Sequence, residues 1–270
     1  MSAMNQRHRL RNRERIAEVS RRDNSAAAPA IGTVAKPWGR RKLVLGLLLI
    51  PVCLIVSLIF IEWIYRATLS GDLWHVDGFW FFFAGCIFWL CMGRLGCQPR
   101  VLYVFAHEFT HLITARLSGG RIHGWHVSDE GGYVETDKTS ALITLSPYLV
   151  PLYTLLVFAL YALVGSFTNL QEELHWQVLS LNIDFKWAWV FYFLVGATWC
   201  FHLTFTLEVL RTEQSDLLHN GEFFSMIVIF LGNLAILGAL FISASPSLKW
   251  SQVWKDSLKL IATVWHWIFG

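Results

Sequence analysis

The chain is organised around apolar stretches that are long enough to cross a lipid bilayer. The first, Leu43–Ile61, contains Ser57 as its one polar side chain. About 20 apolar residues suffice for a transmembrane helix. Only 15% of the 270 residues are charged, whereas soluble domains average about 25%. The sequence therefore argues against a soluble globular protein and predicts an all-α polytopic membrane protein.

Further apolar segments bring the expected number of transmembrane or re-entrant helices to about six. They are Gly78–Met92, Val101–Leu117, Ala141–Val164, Trp187–Leu210 and Phe223–Ile242. The last stretch, Lys249–Phe269, alternates lysine with tryptophan and leucine at helical spacing. This pattern predicts an amphipathic helix at the membrane interface.

The N-terminal segment is strongly basic. Residues 1–42 carry 11 basic side chains against three acidic ones, and residues 1–36 have almost no large apolar side chains. Such a segment cannot bury enough surface to offset its ordering entropy, so residues 1–36 are predicted to form a disordered tail before a membrane domain, residues 37–270. The charge favours a cytoplasmic N-terminus and allows contact with the anionic lipid bilayer. Arginine richness alone does not indicate a nucleic-acid partner.

The first apolar run is too long for a signal peptide and is not followed by a small-residue cleavage site. Together with the compact size of the chain, this favours a multi-pass protein of a bacterial inner membrane. Nothing in the sequence indicates its oligomeric state.

Two polar insertions interrupt the apolar pattern. Ser118–Ser140 contains two short strand-like runs around a turn with Gly131 and Gly132, which predicts a β-hairpin. Arg211–Glu222 lies between the last two predicted spans and contains Asp216.

Residues 107–111 read His-Glu-Phe-Thr-His, an HExxH sequence inside a helix-compatible apolar run. Helical positions i and i+4 are about 40° apart, so His107 and His111 face the same way and can supply two of the three protein ligands of a catalytic Zn²⁺. Glu108 lies beside them and is predicted to be the general base. Ionisable groups within a membrane segment are costly to bury, which favours a functional interpretation.

A third metal ligand must come from elsewhere in the chain. The downstream candidates are Asp184, His202, Glu208, Asp216, His219 and Glu222. Asp216 is favoured because it lies in a polar break, where Gly221 could let the backbone turn the carboxylate back into the bundle. His202 could instead support the ligands, contact a substrate, or be a core histidine bonded to a neighbouring helix. Asn233, inside the last span, is expected to join helices, with donation to a substrate carbonyl as the alternative.

The run YVFAHEFTHLITARLSGGRIHGWHVSDEGGYVET, residues 103–136, resembles the core of the site-2 protease family of intramembrane zinc metallopeptidases. In that family a membrane helix carries HExxH, a Gly-rich hairpin follows, and an Asp near a later helix completes the metal site. The segment TEQSDLLHNGEFFS, residues 212–225, resembles this later part, and LSPYLVPLY, residues 145–153, resembles a small Pro-bearing helix of compact bacterial members.

The resemblance, which spans roughly residues 103–233, implies a Zn²⁺ cofactor with His107, His111 and Asp216 as ligands and Glu108 as catalytic base. It implies hydrolysis of peptide bonds in or near transmembrane segments of a membrane-protein substrate. Two positions depart from the family pattern: Thr110 replaces a common Gly, and Asp216 is followed by Leu rather than Gly. The family's metal site lies near the cytoplasmic face, which fits a cytoplasmic N-terminus if residues 78–117 make one full span and one partial or re-entrant segment.

Two other functions remain open at this point. A non-catalytic relative of the same fold would act by binding partners, and the altered residue after Asp216 favours it. A transporter would use its intramembrane ionisable residues as a pathway, but the sequence shows no matching halves with interrupted helices. The predicted hairpin also has two interpretations, as a strand edge for an extended substrate or as a plug that closes the bundle.

Overall fold

The computed structural model describes residues 38–178, 181–211, 215–244 and 249–269. The predicted disordered tail, residues 1–36, lies outside the described residues. The chain divides into two units, residues 1–41 and 42–270. In chain order, the elements are α1 (Trp38–Leu69), a 3₁₀ turn (Asp72–His75), α2 (Asp77–Arg94), α3 (Arg100–Leu117), β1 (Ile122–Val127), β2 (Gly132–Thr136), α4 (Ala141–Leu149), α5 (Leu152–Gly165), β3 (Leu174–Val178), β4 (Leu181–Phe185), α6 (Trp187–Val209), α7 (Ser215–Asn220), α8 (Glu222–Ala244) and α9 (Trp250–Phe269).

The described chain is mostly helical, as predicted. Within it, α1, α6 and α8 are long and apolar enough to cross a membrane, and the bent pair α4–α5 would add a fourth span if counted as one. These three or four candidate spans support the prediction of a membrane protein. The count of about six, and the placement of α9 at the membrane interface, remain predictions.

The segment predicted as one span, Ala141–Val164, is instead two helices that meet at an angle of 67°. The break follows from Pro151, which has no N–H to donate and whose ring would clash with the carbonyl four residues earlier in a continuous helix. The residue before it, Val150, is extended, with φ −101° and ψ 102°, because proline disfavours helical conformations at the preceding position. Pro147 is accommodated within α4.

The hairpin predicted after the HExxH helix is confirmed. Strands β1 and β2 pair antiparallel, with Val127 opposite Gly132 next to the turn. A second antiparallel hairpin, β3–β4, was not predicted. Its sequence alternates apolar and polar residues from Leu174 to Val178 and again from Leu181 to Phe185, which is the period of a half-exposed strand.

Helices α2 and α6 approach so closely that each presents a glycine to the backbone of the other. A Cβ atom on Gly85 would lie 2.0 Å from the carbonyl oxygen of Phe193, and one on Gly196 would lie 1.9 Å from the carbonyl oxygen of Phe82. Small residues allow this contact between membrane helices, where packing rather than hydrophobic burial drives association. The thiol of Cys86 also donates to the Gly196 carbonyl at 3.3 Å.

Gly196→Ala is expected to destabilise the protein, because the added methyl group must displace the backbone of α2; overpacking costs about 1–3 kcal/mol or more. Gly93→Ala is the control, since a Cβ atom there meets nothing nearer than 3.6 Å. Alanine is a better helix former than glycine by up to about 1 kcal/mol, so the control is expected to be neutral or stabilising. Thermal unfolding in detergent measures both, and equal shifts of the midpoint would contradict this packing.

Helices α1 and α8 run in the same direction. A Cβ atom on Gly46, early in α1, would lie 2.8 Å from the ring of Phe223 at the start of α8. Further along, the rings of Phe60 and Phe241 meet with their centroids 5.9 Å apart. The two helices therefore begin at the same end of the bundle.

Polar contacts mark the two ends of this pair. Lys42 at the start of α1 donates to Asn220 of α7 at 2.7 Å. Near the opposite end of α1, Arg66 pairs with Asp256 of α9 at 2.6 Å. Helix α7 thus lies at the end where α1 starts, and α9 lies at the end where α1 finishes.

Candidate metal centre

The structure brings together the three residues predicted as metal ligands. His107 and His111 lie one turn apart on α3, and Asp216 lies in α7. The two Nε2 atoms are 3.2 Å apart. The Asp216 Oδ2 atom is 3.2 Å from the Nε2 of His111 and 3.5 Å from the Nε2 of His107. Three donor atoms therefore converge on one point from two separate elements.

The spacing of these donors fits a tetrahedral zinc ion. Ligands at about 2.0–2.1 Å from a tetrahedral Zn²⁺ are separated from one another by about 3.4 Å. The observed separations of 3.2–3.5 Å match this value. Two imidazole nitrogens and one carboxylate oxygen are also a donor set of catalytic zinc sites, which leave the fourth position for water or substrate. His107, His111 and Asp216 could therefore hold a zinc ion.

In both histidines, Nε2 faces the cluster and the second ring nitrogen, Nδ1, has a partner of its own. The Nδ1 atom of His111 lies 2.8 Å from the carbonyl oxygen of Ile143 in α4. A carbonyl can only accept, so Nδ1 carries the proton and Nε2 keeps the lone pair that a metal ion needs. The hydroxyl of Tyr103, one turn before His107, lies 3.4 Å from the Nδ1 of that residue. These contacts orient both rings toward Asp216.

The carboxylate of Asp216 is held by three neighbours. Tyr148 of α4 donates its hydroxyl to Oδ2 at 3.3 Å, and the two histidines contact the same oxygen. Burial alone would raise the pKa of Asp216, but the hydrogen bonds with His107 and His111 outweigh it and hold the pKa below its usual range. Asp216 is therefore ionised at neutral pH, the form in which a carboxylate binds metal.

Local packing explains how Asp216 is aimed at α3. The next residue, Leu217, is 3% exposed and fastens α7 to the core. Its buried neighbours are Leu145, Tyr148 and Ile229. Asn220, 1% exposed, donates to Thr144 of α4 and to the Asp216 carbonyl. Leucine rather than glycine after Asp216 thus supplies a packing anchor. Asn220 was not among the predicted site residues. The one local signal for it is that Asn followed by Gly221, which has φ +85°, is a typical helix C-terminus.

Glu108 lies between α3 and the first hairpin. Glu108 is 8% exposed. A Cβ atom on Gly132 would lie 2.6 Å from the Cγ atom of Glu108. Two adjoining cavities, of about 330 Å³ and 510 Å³, are both lined by His107, Glu108 and Gly132. Thr110, the other departure from the family pattern, is buried and bonds to the carbonyl of its own helix at Ala106. The predicted base therefore faces the same open space as the metal cluster.

The remaining candidates for a third ligand lie elsewhere. Asp184 pairs with His175 across the second hairpin at 2.7 Å, and Glu208 pairs with Arg100 at 3.3 Å. His219 and Glu222 are exposed. Among the described residues, the group of His107, His111 and Asp216 is the one set of three or more His, Cys, Asp or Glu side chains that could hold a metal.

Asn233 contacts the backbone of Tyr148, whose hydroxyl reaches Asp216. Asn233 donates to the Tyr148 carbonyl and to that of Ile229, each at 2.9 Å, and so joins α8 to α4. His202 is 7% exposed, and its Nε2 atom has no hydrogen-bond partner among the residues that the structure describes. The contacts of Asn233 match the helix-joining role expected for it. His202 lies in the core, but its bond to a neighbouring helix stays a prediction.

Gly132→Val is expected to lower any activity of this site by more than about tenfold, because the side chain would displace Glu108 or lift the hairpin from α3; a misplacement of about 1 Å can cost about 10²-fold. Gly124→Ala in the same hairpin is the control, since its new methyl group would meet the flexible side chain of Glu135. Turnover and metal content of both variants measure the effect. Normal turnover in Gly132→Val would contradict this position of Glu108.

Comparison of the chain with protein-family models, with characterised proteins and with solved structures finds no match.

Proposed function

We propose that this protein is a zinc metallopeptidase of the membrane, which hydrolyses peptide bonds in or near transmembrane segments of other membrane proteins. The observation that carries the proposal is the triangle of donor atoms from His107, His111 and Asp216, with Glu108 beside it and open cavities in front. The helices that could span a bilayer support a membrane protein as the setting for this proposed chemistry.

The site residues have separate roles in the proposed reaction. The Nε2 atoms of His107 and His111 and the Oδ2 of Asp216 would hold the metal. When bound, zinc supplies Lewis acidity and lowers the pKa of water toward neutrality. A carboxylate oxygen of Glu108 accepts the proton of the attacking water and then passes it to the leaving amide nitrogen. Packing against Gly132 keeps that carboxylate at the junction of the two cavities.

Strand β2 offers a binding edge for the substrate. It pairs with β1 in a two-stranded sheet, so its other edge presents backbone N–H and C=O groups that an extended peptide can pair with. Gly132, Val134 and Thr136 of this strand line the same 330 Å³ cavity as the metal cluster. A helical segment would have to unwind locally to bind there, because its carbonyls are otherwise occupied by its own hydrogen bonds.

The hairpin also has a packing role. Trp125 of β1 meets the rings of Phe105 and Phe109 on α3, with centroids 5.9 Å and 6.4 Å apart. The same element can therefore fix α3 in place and present an edge to a substrate.

The contact of Lys42 supports a proposal for the side of the membrane. Lys42, at the start of α1, donates to Asn220 of α7, the short helix that also carries Asp216. The metal cluster therefore lies at the end of the bundle where α1 begins. The basic residues that precede α1 favour the cytoplasm. We therefore infer cleavage near the cytoplasmic face, in the inner membrane if the protein is bacterial.

The direct test is hydrolysis of a model transmembrane substrate by the purified, zinc-loaded protein in detergent or liposomes. We expect mass spectrometry to locate the cut within or next to the apolar segment. Addition of a zinc chelator should stop the reaction, and restoring zinc should restart it.

A further inference from the structure

The larger of the two cavities beside Glu108 has an acidic rim. It has a volume of about 510 Å³ and lies between α3, the turn of the first hairpin and the end of α6. Asp129 and Glu130 in the hairpin turn line it and are exposed. Glu208 also lines it, but its charge is balanced by Arg100 at 3.3 Å. Among the described residues neither Asp129 nor Glu130 has an ion-pair partner, so two unbalanced negative charges border the cavity.

The side chain of Glu108 is a second group that faces this cavity. Glu108 is 8% exposed and lines the cavity, and among the residues that the structure describes its carboxylate has no hydrogen-bond partner. A group that has no partner and faces an open cavity is positioned to meet a molecule that enters it.

The smaller cavity has the opposite character at its rim. Lys138 lines it, together with the metal cluster and Glu108. Lys138 donates to the carbonyl of Ser118 at 2.6 Å, which fixes the position of its ammonium group. A peptide that crosses Glu108 from one cavity to the other thus meets a basic rim on one side and an acidic rim on the other.

We propose that the larger cavity is a subsite for a basic stretch of the substrate, in which lysine or arginine side chains next to the cleaved bond pair with Asp129 and Glu130. The inference rests on the proposed peptidase function, because it assigns a substrate class to the same site. Exposed charge pairs are individually weak and are screened by salt. The expected preference is therefore about five- to tenfold at low ionic strength.

The test measures binding without turnover. Fluorescence anisotropy follows three labelled Leu/Ala-rich peptides, carrying two lysines, two glutamines or two glutamates at one end, on zinc-loaded full-length Glu108→Gln protein. Each of the three peptides is made in two versions, with the pair of residues at the N-terminal end or at the C-terminal end. We expect the lysine peptide to bind about five- to tenfold more tightly than the glutamate peptide at low salt, and the difference to shrink at high salt.

Variants in the same background test the source of the preference. Asp129→Asn/Glu130→Gln should remove it, and Asp129→Lys/Glu130→Lys should reverse it. Glu172→Gln, which alters an exposed carboxylate on a different loop, should leave it intact. Equal binding of the three peptides, no binding of any, or a preference that survives both double variants would overturn the subsite.

The outcomes separate this inference from the proposed function. A charge preference that depends on Asp129 and Glu130, in a protein whose wild type hydrolyses nothing, would retain the subsite and reject the peptidase. Hydrolysis of all three peptides at equal efficiency by the wild type would retain the peptidase and reject the subsite.

Discussion

Glu108→Gln is expected to abolish peptide hydrolysis while leaving the zinc content unchanged. Glutamine has the same shape but cannot accept and return a proton, and general-base catalysis contributes about 10²–10⁴-fold. The side chain is not one of the three donors, so the metal cluster should remain intact. We expect turnover to fall by about 10³-fold, with zinc measured on the same preparation by elemental analysis.

Glu172→Gln is the matched control, because it makes the same chemical change at an exposed loop position. Its turnover should equal that of the wild type. Substantial proteolysis by Glu108→Gln would exclude Glu108 as the base. A wild type that binds zinc but cleaves no substrate would instead favour a non-catalytic protein that acts by binding partners.

Removal of a donor atom is expected to remove the metal. His107→Ala and Asp216→Ala each leave two of the three donors, and even residues that merely orient ligands contribute about 10–100-fold to metal affinity. We expect each variant to bind zinc at least about 100-fold more weakly than the wild type. Zinc stoichiometry and competition with a chelating dye would measure this, starting from about one zinc per wild-type chain.

His219→Ala is the control for this experiment, because His219 lies on the same short helix as Asp216 but is exposed. Its zinc affinity should be unchanged. Asp216→Asn preserves the packing of α7 and separates loss of the ligand from loss of the fold. Retention of zinc by both Asp216 variants, with loss in His107→Ala, would assign the third ligand to another residue. Absence of zinc from the wild type after loading would exclude the metallopeptidase.

Some features of this protein follow from local sequence alone. The apolar stretches and the hairpin after α3 were predicted because their signals, length of an apolar run and glycines between strand-like runs, act over a few residues. The alignment of His107 with His111 is fixed by the period of the helix. The second hairpin also has a local signal, the alternation of apolar and polar residues from Leu174 to Val178 and from Leu181 to Phe185.

The sequence favours Asp216 among the six candidates for a third ligand, but only the tertiary structure brings its carboxylate to the two histidines. Asp216 is separated from His111 by 105 positions, and their contact depends on how α4, α7 and α8 pack. Leu217 and Asn220 fasten α7 to that core, and Tyr148 and Ile143 supply the polar partners of the ligands. The sequence by itself determined which side chains could perform metal chemistry, because that depends on residue type and helical period. Packing between distant segments decided which of them meet, because no local pattern encodes a contact across a hundred residues.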